Sequence, residues 1–369
     1  VHHCLCVGVS EGDGLFDGWL EDGDHIYSCY VGLCCCLLAC NRDLTRSRLC
    51  GVDEVNDETD NKRFRILVCI DGSDESYRGL RYAAKLSRGL DADIVLLYVR
   101  AIDQGLRSGG LQISVARENM LQWGLELPGI KYLKKGRDLL IEMGEMAADW
   151  PEQSTHTDVD GTSLGDNKIE YTNEQGRKIV LKLKVARDIA TGIIDQWELG
   201  EYDLYILGAS ERWRKFSLAS FRDPAVAEKI AVHAPCSVLV TRELEGSLGN
   251  LICTDGTERA NDMVRRAAAM SHTCGFPVSI LSVAEDDEGR PNAEKNVAEA
   301  KKILSDMGIE PQDTVVRVGN PVDEIVDEGK KYSMIVVSDT SRSGLKRFFM
   351  GSIAFKVLEE SKHSVMVMR

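Results

Sequence analysis

The chain repeats one motif at a fixed spacing. A short apolar run that closes in Asp-Gly-Ser or Asp-Gly-Thr occurs twice, around Asp71 and around Asp255. The next apolar run ends at Val99 in the first copy and at Val283 in the second, and both pairs of residues lie 184 positions apart. One offset that holds across two motifs indicates an internal duplication, so we expect two related halves.

Each copy opens with a strand, a helix and a second strand. In the first copy the apolar run 65–70 is followed by helical spacing over 74–89 and by a second apolar run at 94–99. Such a unit predicts two parallel strands joined by a right-handed crossover. The predicted fold class is therefore α/β, with two tandem doubly wound parallel-sheet domains.

The halves also end alike but differ in the middle. Residues 205–208 correspond to 335–338, and 237–240 correspond to 364–367. The offset is smaller here than at the start, so the first half carries 54 extra residues. We expect this insertion to lie within about 101–178.

The insertion is predicted to hold a helix and a β-hairpin. Residues 113–148 show helical spacing that is interrupted near Pro128, and the polar segment 152–167 is predicted to be a loop. Alternating apolar residues flank Asn173–Gly176, which predicts a hairpin with a glycine-containing turn. The longer arm, 179–185, is expected to serve as a central strand of the first sheet.

The first 62 residues differ in composition from the rest. They hold eight of the twelve cysteines, four basic and twelve acidic residues, and no hydrophobic periodicity. A zinc site lacks paired C-x-x-C spacing, a lipoprotein signal lacks a basic region before Cys40, and a disulfide framework needs an oxidising compartment. We expect 1–62 to be a disordered or non-native extension ahead of domains at 63–244 and 248–369.

Charge and hydropathy exclude two kinds of partner. The formal net charge is −14 at pH 7, whereas nucleic acid requires a basic face. No run of 18 apolar residues occurs, so neither a membrane span nor a membrane partner is expected. The four cysteines after residue 62 form no paired motif, which is typical of a cytoplasmic protein.

Three motifs resemble the universal stress protein family. They are the strand-Asp-Gly-Ser/Thr openings at Asp71 and Asp255, the Gly-Asn-Pro turn at Gly319, and the tail Ser341–Ser352. Two copies of the pattern cover nearly everything after the extension. The resemblance implies the adenine nucleotide alpha hydrolase-like fold. Many members of the family bind ATP, and others have lost the site.

The family's phosphate motif is only partly kept in the second half. It reads Gly-x-x-Gly, nine residues, then Gly-Ser or Gly-Thr, so that the backbone and a helix start can approach the nucleotide. Gly351-Ser352 is intact, but serines replace both earlier glycines. The resemblance implies nucleotide contacts from Asp255, Val283, Ser338, Ser341, Gly351 and Ser352, with Lys346 and Arg347 as weaker candidates.

Each candidate also has a purely structural interpretation. Asp255 is the type of residue that caps a following helix, and Val283 is equally suited to the core. Lys346 and Arg347 suit an anion but also a solvated loop.

The first half departs further from the motif. Gly208 survives, Glu211 replaces the second glycine, and Phe221-Arg222 stands in place of Gly-Ser. Asp223 and Pro224 are predicted to start the helix, where the carboxylate and the missing N–H leave few donors for phosphate. We therefore expect no ATP in the first half. The weaker candidates there are Asp71, Val99 and Gly208.

Three functions are compatible with this sequence. The favoured one is a cytoplasmic stress-response protein whose halves pack as an intrachain pseudo-dimer, with ATP in the second half only; the resemblance also allows a homodimer. The second is a nucleotide-free interaction module that uses the hairpin insertion. The third is an ATP-cleaving enzyme, but Ser108-Gly109-Gly110 lacks the Asp-Ser that such a loop needs. We expect no catalytic residues and no metal.

Overall fold

The computed structural model describes residues 63–101, 128–159, 162–209, 226–242, 248–339 and 351–369. The predicted extension at 1–62 lies outside them. The strands are β1 (Arg65–Cys69), β2 (Asp93–Ala101), β3 (Glu152–Val159), β4 (Thr162–Thr172), β5 (Lys178–Ala186), β6 (Leu204–Gly208), β7 (Ser237–Thr241), β8 (Asn250–Cys253), β9 (Val278–Ala284), β10 (Asp313–Val318), β11 (Met334–Ser338) and β12 (Ser364–Met368). The helices are α1 (Asp74–Leu90), α2 (Pro128–Glu142), α3 (Ile189–Ile194), α4 (Val226–His233), α5 (Glu258–Thr273), α6 (Arg290–Asp306), α7 (Pro321–Gly329) and α8 (Ser352–Glu360), and a 3₁₀ turn spans Asp195–Leu199.

The described strands form one sheet in which each half contributes five parallel strands. Their order is β5-β2-β1-β6-β7 in the first half and β10-β9-β8-β11-β12 in the second. The inner strands are nearly continuous runs of Val, Ile and Leu because both faces of a parallel sheet are covered by helices. The predicted pair of doubly wound α/β domains is confirmed.

The helices are divided between the two faces by their position in each half. Leu80 of α1, Leu133 of α2, Val264 of α5 and Leu304 of α6 belong to the core on one face. On the other face the core includes Ile193 of α3, Ile230 of α4, Ile325 of α7 and Leu358 of α8. In each half, therefore, the first two helices along the chain cover one face of the sheet and the last two cover the other face.

Side-chain caps set the starts of four described helices, one of them α3, where Asp188 accepts from Thr191 N. Ser73 accepts a hydrogen bond from Ser76 N at the start of α1, and Thr257 accepts one from Ala260 N at the start of α5. Asn320 caps α7 and Pro321 is its first residue. Each such cap contributes about 1 kcal/mol to helix stability.

The insertion contains more strand than the sequence indicated. The prediction of a loop over 152–167 is wrong, because β3 and the first part of β4 pair there as antiparallel strands. β3 is the last strand of the described sheet and its residues 152–157 are exposed, so no apolar alternation marked it. The hairpin at 173–176 and the interior position of 179–185, between β2 and β4, are confirmed.

The helical prediction for the insertion is correct in part. Of 113–148, helix α2 occupies Pro128–Glu142, and the chain from Met143 to Trp150 forms turns. The segment 113–127 lies outside the described residues. The helical spacing is interrupted near Pro128 because α2 begins there. Proline is tolerated at the first position of a helix, since its missing N–H would have no intrahelical partner.

The two halves join through β7 and β12, which pair in the antiparallel direction. Arg242 follows β7 and donates its N–H to Ser364 Oγ at 2.9 Å, and Arg369 follows β12 and donates to Ser237 Oγ at 3.2 Å. Each guanidinium also donates to two carbonyls of the opposite half: His363 and Leu358 for Arg242, Cys236 and Ala231 for Arg369. These matched contacts make the halves an intrachain pseudo-dimer with approximate two-fold symmetry.

None of the described helices combines the length and the apolar character needed to cross a bilayer.

Candidate functional site

A crevice opens at the carboxyl ends of β8 and β11. These neighbouring strands are followed by α5 and α8, which lie on opposite faces of the sheet. In open α/β sheets, ligands bind where connections diverge in this way. The structure places Asp255 just after β8 and Ser338 at the end of β11, so the crevice brings two of the candidates together.

Asp255 organises the turn that starts α5. Its Oδ1 accepts hydrogen bonds from Thr257 N at 3.1 Å and from Thr257 Oγ1 at 2.7 Å. The helix cap is therefore Thr257, and Asp255 orients the cap instead of serving as one. Asp255 is exposed, and no described residue donates to its Oδ2. That oxygen has the capacity to accept a hydrogen bond from a hydroxyl group.

The same turn is held close to α6. Gly256 has φ +73°, and a Cβ there would lie 2.1 Å from Asn296 Oδ1, so glycine is required. Asn296 is buried and donates to Ser282 Oγ on β9 at 3.4 Å. Val283, the next residue of β9, is half-buried and packs at the edge of the core. Val283 is therefore a core residue, as its structural interpretation predicted, and it also leaves part of its apolar surface exposed.

Beside the start of α8 the crevice contains a buried carboxylate that the sequence interpretation missed. Asp339 follows Ser338 and is 8% exposed. Its Oδ1 accepts a hydrogen bond from Gly351 N at 3.0 Å. Gly351 is the N-cap residue of α8, and no side chain caps that helix by hydrogen bonding to its first turn. Asp339 thus occupies a backbone donor at the helix start, where an anion would bind.

Two arginines hold Asp339 in place. Arg369 Nε lies 3.0 Å from Asp339 Oδ2, and Arg259 Nη1 donates to the Asp339 carbonyl at 2.9 Å. Arg259 is in the first turn of α5 and crosses the crevice from β8 to β11. Neither arginine belongs to the family motif. The sequence shows Asp339 as an acidic residue between Ser338 and Ser341, whereas the roles of the arginines required the three-dimensional structure.

The remaining candidates of the second half lie on α8 or outside the described residues. Ser352 is the first residue of α8 and is exposed. Ser341, Lys346 and Arg347 lie outside the described residues. The same holds for Glu211, Phe221-Arg222, Asp223 and Pro224 of the first half.

The corresponding crevice of the first half is closed. Asp71 Oδ1 accepts from Ser73 N at 2.9 Å, which repeats the turn of the second half. A Cβ on Gly208 would lie 2.5 Å from Ser76 N, so α1 packs directly on the end of β6. In the second half that position is Ser338, which carries a Cβ. Thr241 Oγ1 donates to Glu75 O at 3.0 Å and holds α1 in this place.

Aromatic residues and α3 cover the rest of the first crevice. The Tyr132 ring lies 2.6 Å from the position of a Cβ on Gly72, and Tyr77 Oη donates to the Tyr132 carbonyl at 3.2 Å. Burial, together with Tyr132 and then Asp71, raises the pKa of Tyr77 to about 12. Val99 is 9% exposed and lies under Gly192 of α3, so it is a core residue.

The cysteines nearest the two crevices are not thiolates. Burial raises the pKa of the Cys69 thiol, with Asp71 contributing, and burial alone raises the pKa of Cys253. Both thiols stay protonated at neutral pH, so neither supplies a nucleophile. No group of three or more His, Cys, Asp or Glu residues suited to a metal ion occurs in the described part of the chain.

The sheet order and the crevice at its switch point define the adenine nucleotide alpha hydrolase-like class of fold. A family model for the universal stress proteins matches residues 62–242 and 251–369, which together make up most of the chain. The chain belongs to the universal stress protein family.

Known relatives match the chain at low sequence identity. Universal stress protein Slr1230 of Synechocystis sp. is 22% identical over 313 residues, which are 82% of this chain and 99% of that protein. A putative universal stress protein from Pseudomonas aeruginosa has a TM-score of 0.52 at 14% identity, over 82% of this chain and 92% of its own. The Archaeoglobus fulgidus universal stress protein in complex with dAMP matches 33% of this chain and 97% of its own, with 24% identity and a TM-score of 0.28.

Proposed function

We propose that the protein is a cytoplasmic stress-response protein that binds an adenine nucleotide weakly, in the second half only. It acts by binding and does not turn the nucleotide over. The observation that carries this proposal is the contrast between the two crevices. In the first, α1 and Tyr132 pack against Gly208 and Gly72, whereas in the second Asp255 is exposed and Ser338 is partly exposed.

The residues of the second crevice suit the ribose and base of a nucleotide better than its phosphates. Asp255 offers a free carboxylate oxygen to ribose hydroxyls, and Val283 offers apolar surface to a base. At the other end Asp339 holds Gly351 N, so phosphate must displace or approach a buried carboxylate. Repulsion between like charges there weakens ATP more than adenosine.

Asp339 also supports a second candidate function. A crevice whose helix start is already satisfied by an internal anion suits a nucleotide-free interaction module. Under this alternative the second half has lost its ligand, and the Asp339–Arg369 pair is a structural contact. A protein of this type would bind neither adenosine nor ATP.

Replacing Ser352 with aspartate is expected to weaken ATP binding roughly fivefold, because it adds a second carboxylate at the start of α8. Ser352 is exposed, and an acidic residue in the first turn suits a helix, so the fold is kept. Calorimetric titration of ATP and adenosine into the full chain measures the effect. The matched control is Ser305→Asp, an exposed serine near the end of α6. Equal ATP affinities for the two variants would contradict the proposed phosphate position, and release of ADP during the titration would point to the enzyme.

A further inference from the structure

The insertion builds a cavity on the face of the first half that carries α3 and α4. Its volume is about 370 Å³, and it lies over β1, β2, β5 and β4. Val95 and Val180 form an apolar floor, and Tyr202 forms one wall. Arg65 and Asp93 stand at the first residues of their strands, so the cavity lies toward the amino ends of the sheet. It is therefore at the opposite edge from the crevice of its own half beside Asp71, and several strands away from the crevice of Asp255.

The cavity exists because the sheet extends beyond the helix that covers it. α3 has six residues, and its Gly192 packs on Val99 and Ala186 near the carboxyl ends of β2 and β5. The insertion adds β4 beside β5 and so supplies a further wall. In the second half β10 occupies the place of β5 and ends the sheet, so this wall has no counterpart there.

Most of the charges around the cavity are already paired. Glu170 of β4 binds both Lys168, at 2.5 Å, and Lys178, at 2.7 Å. The Arg65 guanidinium lies 4.7 Å from the centroid of the Tyr202 ring and donates to Glu201 O at 3.2 Å. Four cationic and two anionic side chains line the cavity, so its net charge is positive.

Lys182 is the exception. It lies on β5 between Val180 and Lys184, is half-buried, and has no hydrogen-bond or ion-pair partner among the described residues. Its neighbour Lys184 is paired with Asp166 at 2.7 Å. A half-buried ammonium without an acceptor is costly, and an anion in the cavity would remove that cost.

Burial and the neighbouring cations favour the neutral form of Lys182. Burial first, then Lys184, Lys168 and Arg65, lower its pKa to about 8, while Asp166 acts in the opposite direction. Asp93 and Lys178 also line the cavity, but Asp93 Oδ1 accepts from Lys178 N at 2.8 Å and the Lys178 ammonium is paired with Glu170. Binding of an anion next to Lys182 stabilises the ammonium form, so near pH 8 the Lys182 amine would take up a proton from solvent when the anion binds.

We propose that this cavity binds a small organic anion, with the charged group on Lys182 and an apolar or aromatic body over Val95 and Val180. The volume is within the range of small-molecule sites. The carboxylates of Asp93 and Glu170 at the same mouth disfavour an extended polyanion such as nucleic acid. The charged group is a carboxylate or a phosphate, and these share the chemistry that Lys182 recognises.

The test is calorimetric titration of the full chain with phenyl phosphate, benzoate and inorganic phosphate. We expect phenyl phosphate or benzoate to bind more tightly than inorganic phosphate because of the apolar floor, and the tighter of the two identifies the charged group. Lys182→Met should lower that affinity about tenfold. Lys301→Met, an exposed lysine of α6, is the matched control and should leave it unchanged. Equal affinities for the two variants, or no binding of any probe at millimolar concentration, would overturn the proposal.

Two further readouts separate ligand binding from a general loss of structure. Glu170→Gln should raise the affinity severalfold, because it frees Lys168 and Lys178, whereas a damaged fold would lower it. Binding should weaken as the pH rises through about 8, and this dependence should vanish in Lys182→Met. Saturating adenosine, which carries no anionic group, should leave the affinity unchanged, so this result is independent of the nucleotide site. Competition by adenosine, or a pH dependence that survives in Lys182→Met, would count against the cavity.

Discussion

Replacing Asp339 with asparagine is expected to strengthen ATP binding by about tenfold to a hundredfold. A phosphate at the start of α8 would lie within about 5 Å of the Asp339 carboxylate. At an effective dielectric constant of 20–40, removing that unit charge is worth about 2–3 kcal/mol. Asparagine keeps the shape of the side chain and an oxygen that can accept from Gly351 N. It also removes the anionic partner of Arg369, whose positive charge then favours a phosphate nearby.

The experiment is a calorimetric titration of the full chain with ATP and with adenosine. Adenosine has no phosphate, so its affinity should not change in Asp339→Asn. Asp306→Asn removes an equal charge from an exposed residue at the end of α6 and should leave both affinities unchanged. If Asp339→Asn bound neither ligand and kept its circular dichroism spectrum, the nucleotide proposal would fail and the interaction module would stand.

Most of the fold that the sequence predicted correctly was predicted from the internal duplication. The repeated openings at Asp71 and Asp255 located two copies of one fold, and both turns have the same hydrogen bonds in the structure. Runs of buried apolar residues located the parallel strands because both faces of those strands are covered. The sequence did not predict β3, because an exposed strand at the end of the sheet needs no apolar alternation.

The contents of the two crevices depend on contacts between distant parts of the chain. Tyr132 belongs to α2 within the insertion, yet its ring covers Gly72 at the end of β1. Asp339 pairs with Arg369, which lies 30 residues further on and also contacts the first half. No local pattern reports such pairs, because side-chain partners across a sheet are set by strand order. The family motif therefore located the crevice and could not predict how Asp339 changes it.

Replacing Glu145 with glutamine is expected to lower the free energy of unfolding by about 3–5 kcal/mol, since it breaks a buried ion pair. Glu145 follows α2 and is 2% exposed. Its Oε1 lies 2.7 Å from Arg88 Nη2 on α1, and its Oε2 lies 2.9 Å from Arg177 Nη2 beside β5. One carboxylate thus joins the inserted helix to the shared fold at two points. Glu142→Gln removes an equal charge from an exposed residue of α2 and should change the stability by less than about 0.5 kcal/mol.

Urea unfolding followed by tryptophan fluorescence measures this effect selectively. All five tryptophans lie before residue 244, so the signal does not report on the second half. The double variant Glu145→Gln with Arg177→Met should recover part of the loss, because it leaves no unpaired guanidinium at that site. Equal midpoints for Glu145→Gln and Glu142→Gln would show that the insertion is not held through this carboxylate. A large loss with partial recovery would instead mean that the insertion is a fixed part of the first half, and the wall that β4 gives to the cavity of Lys182 would then be rigid.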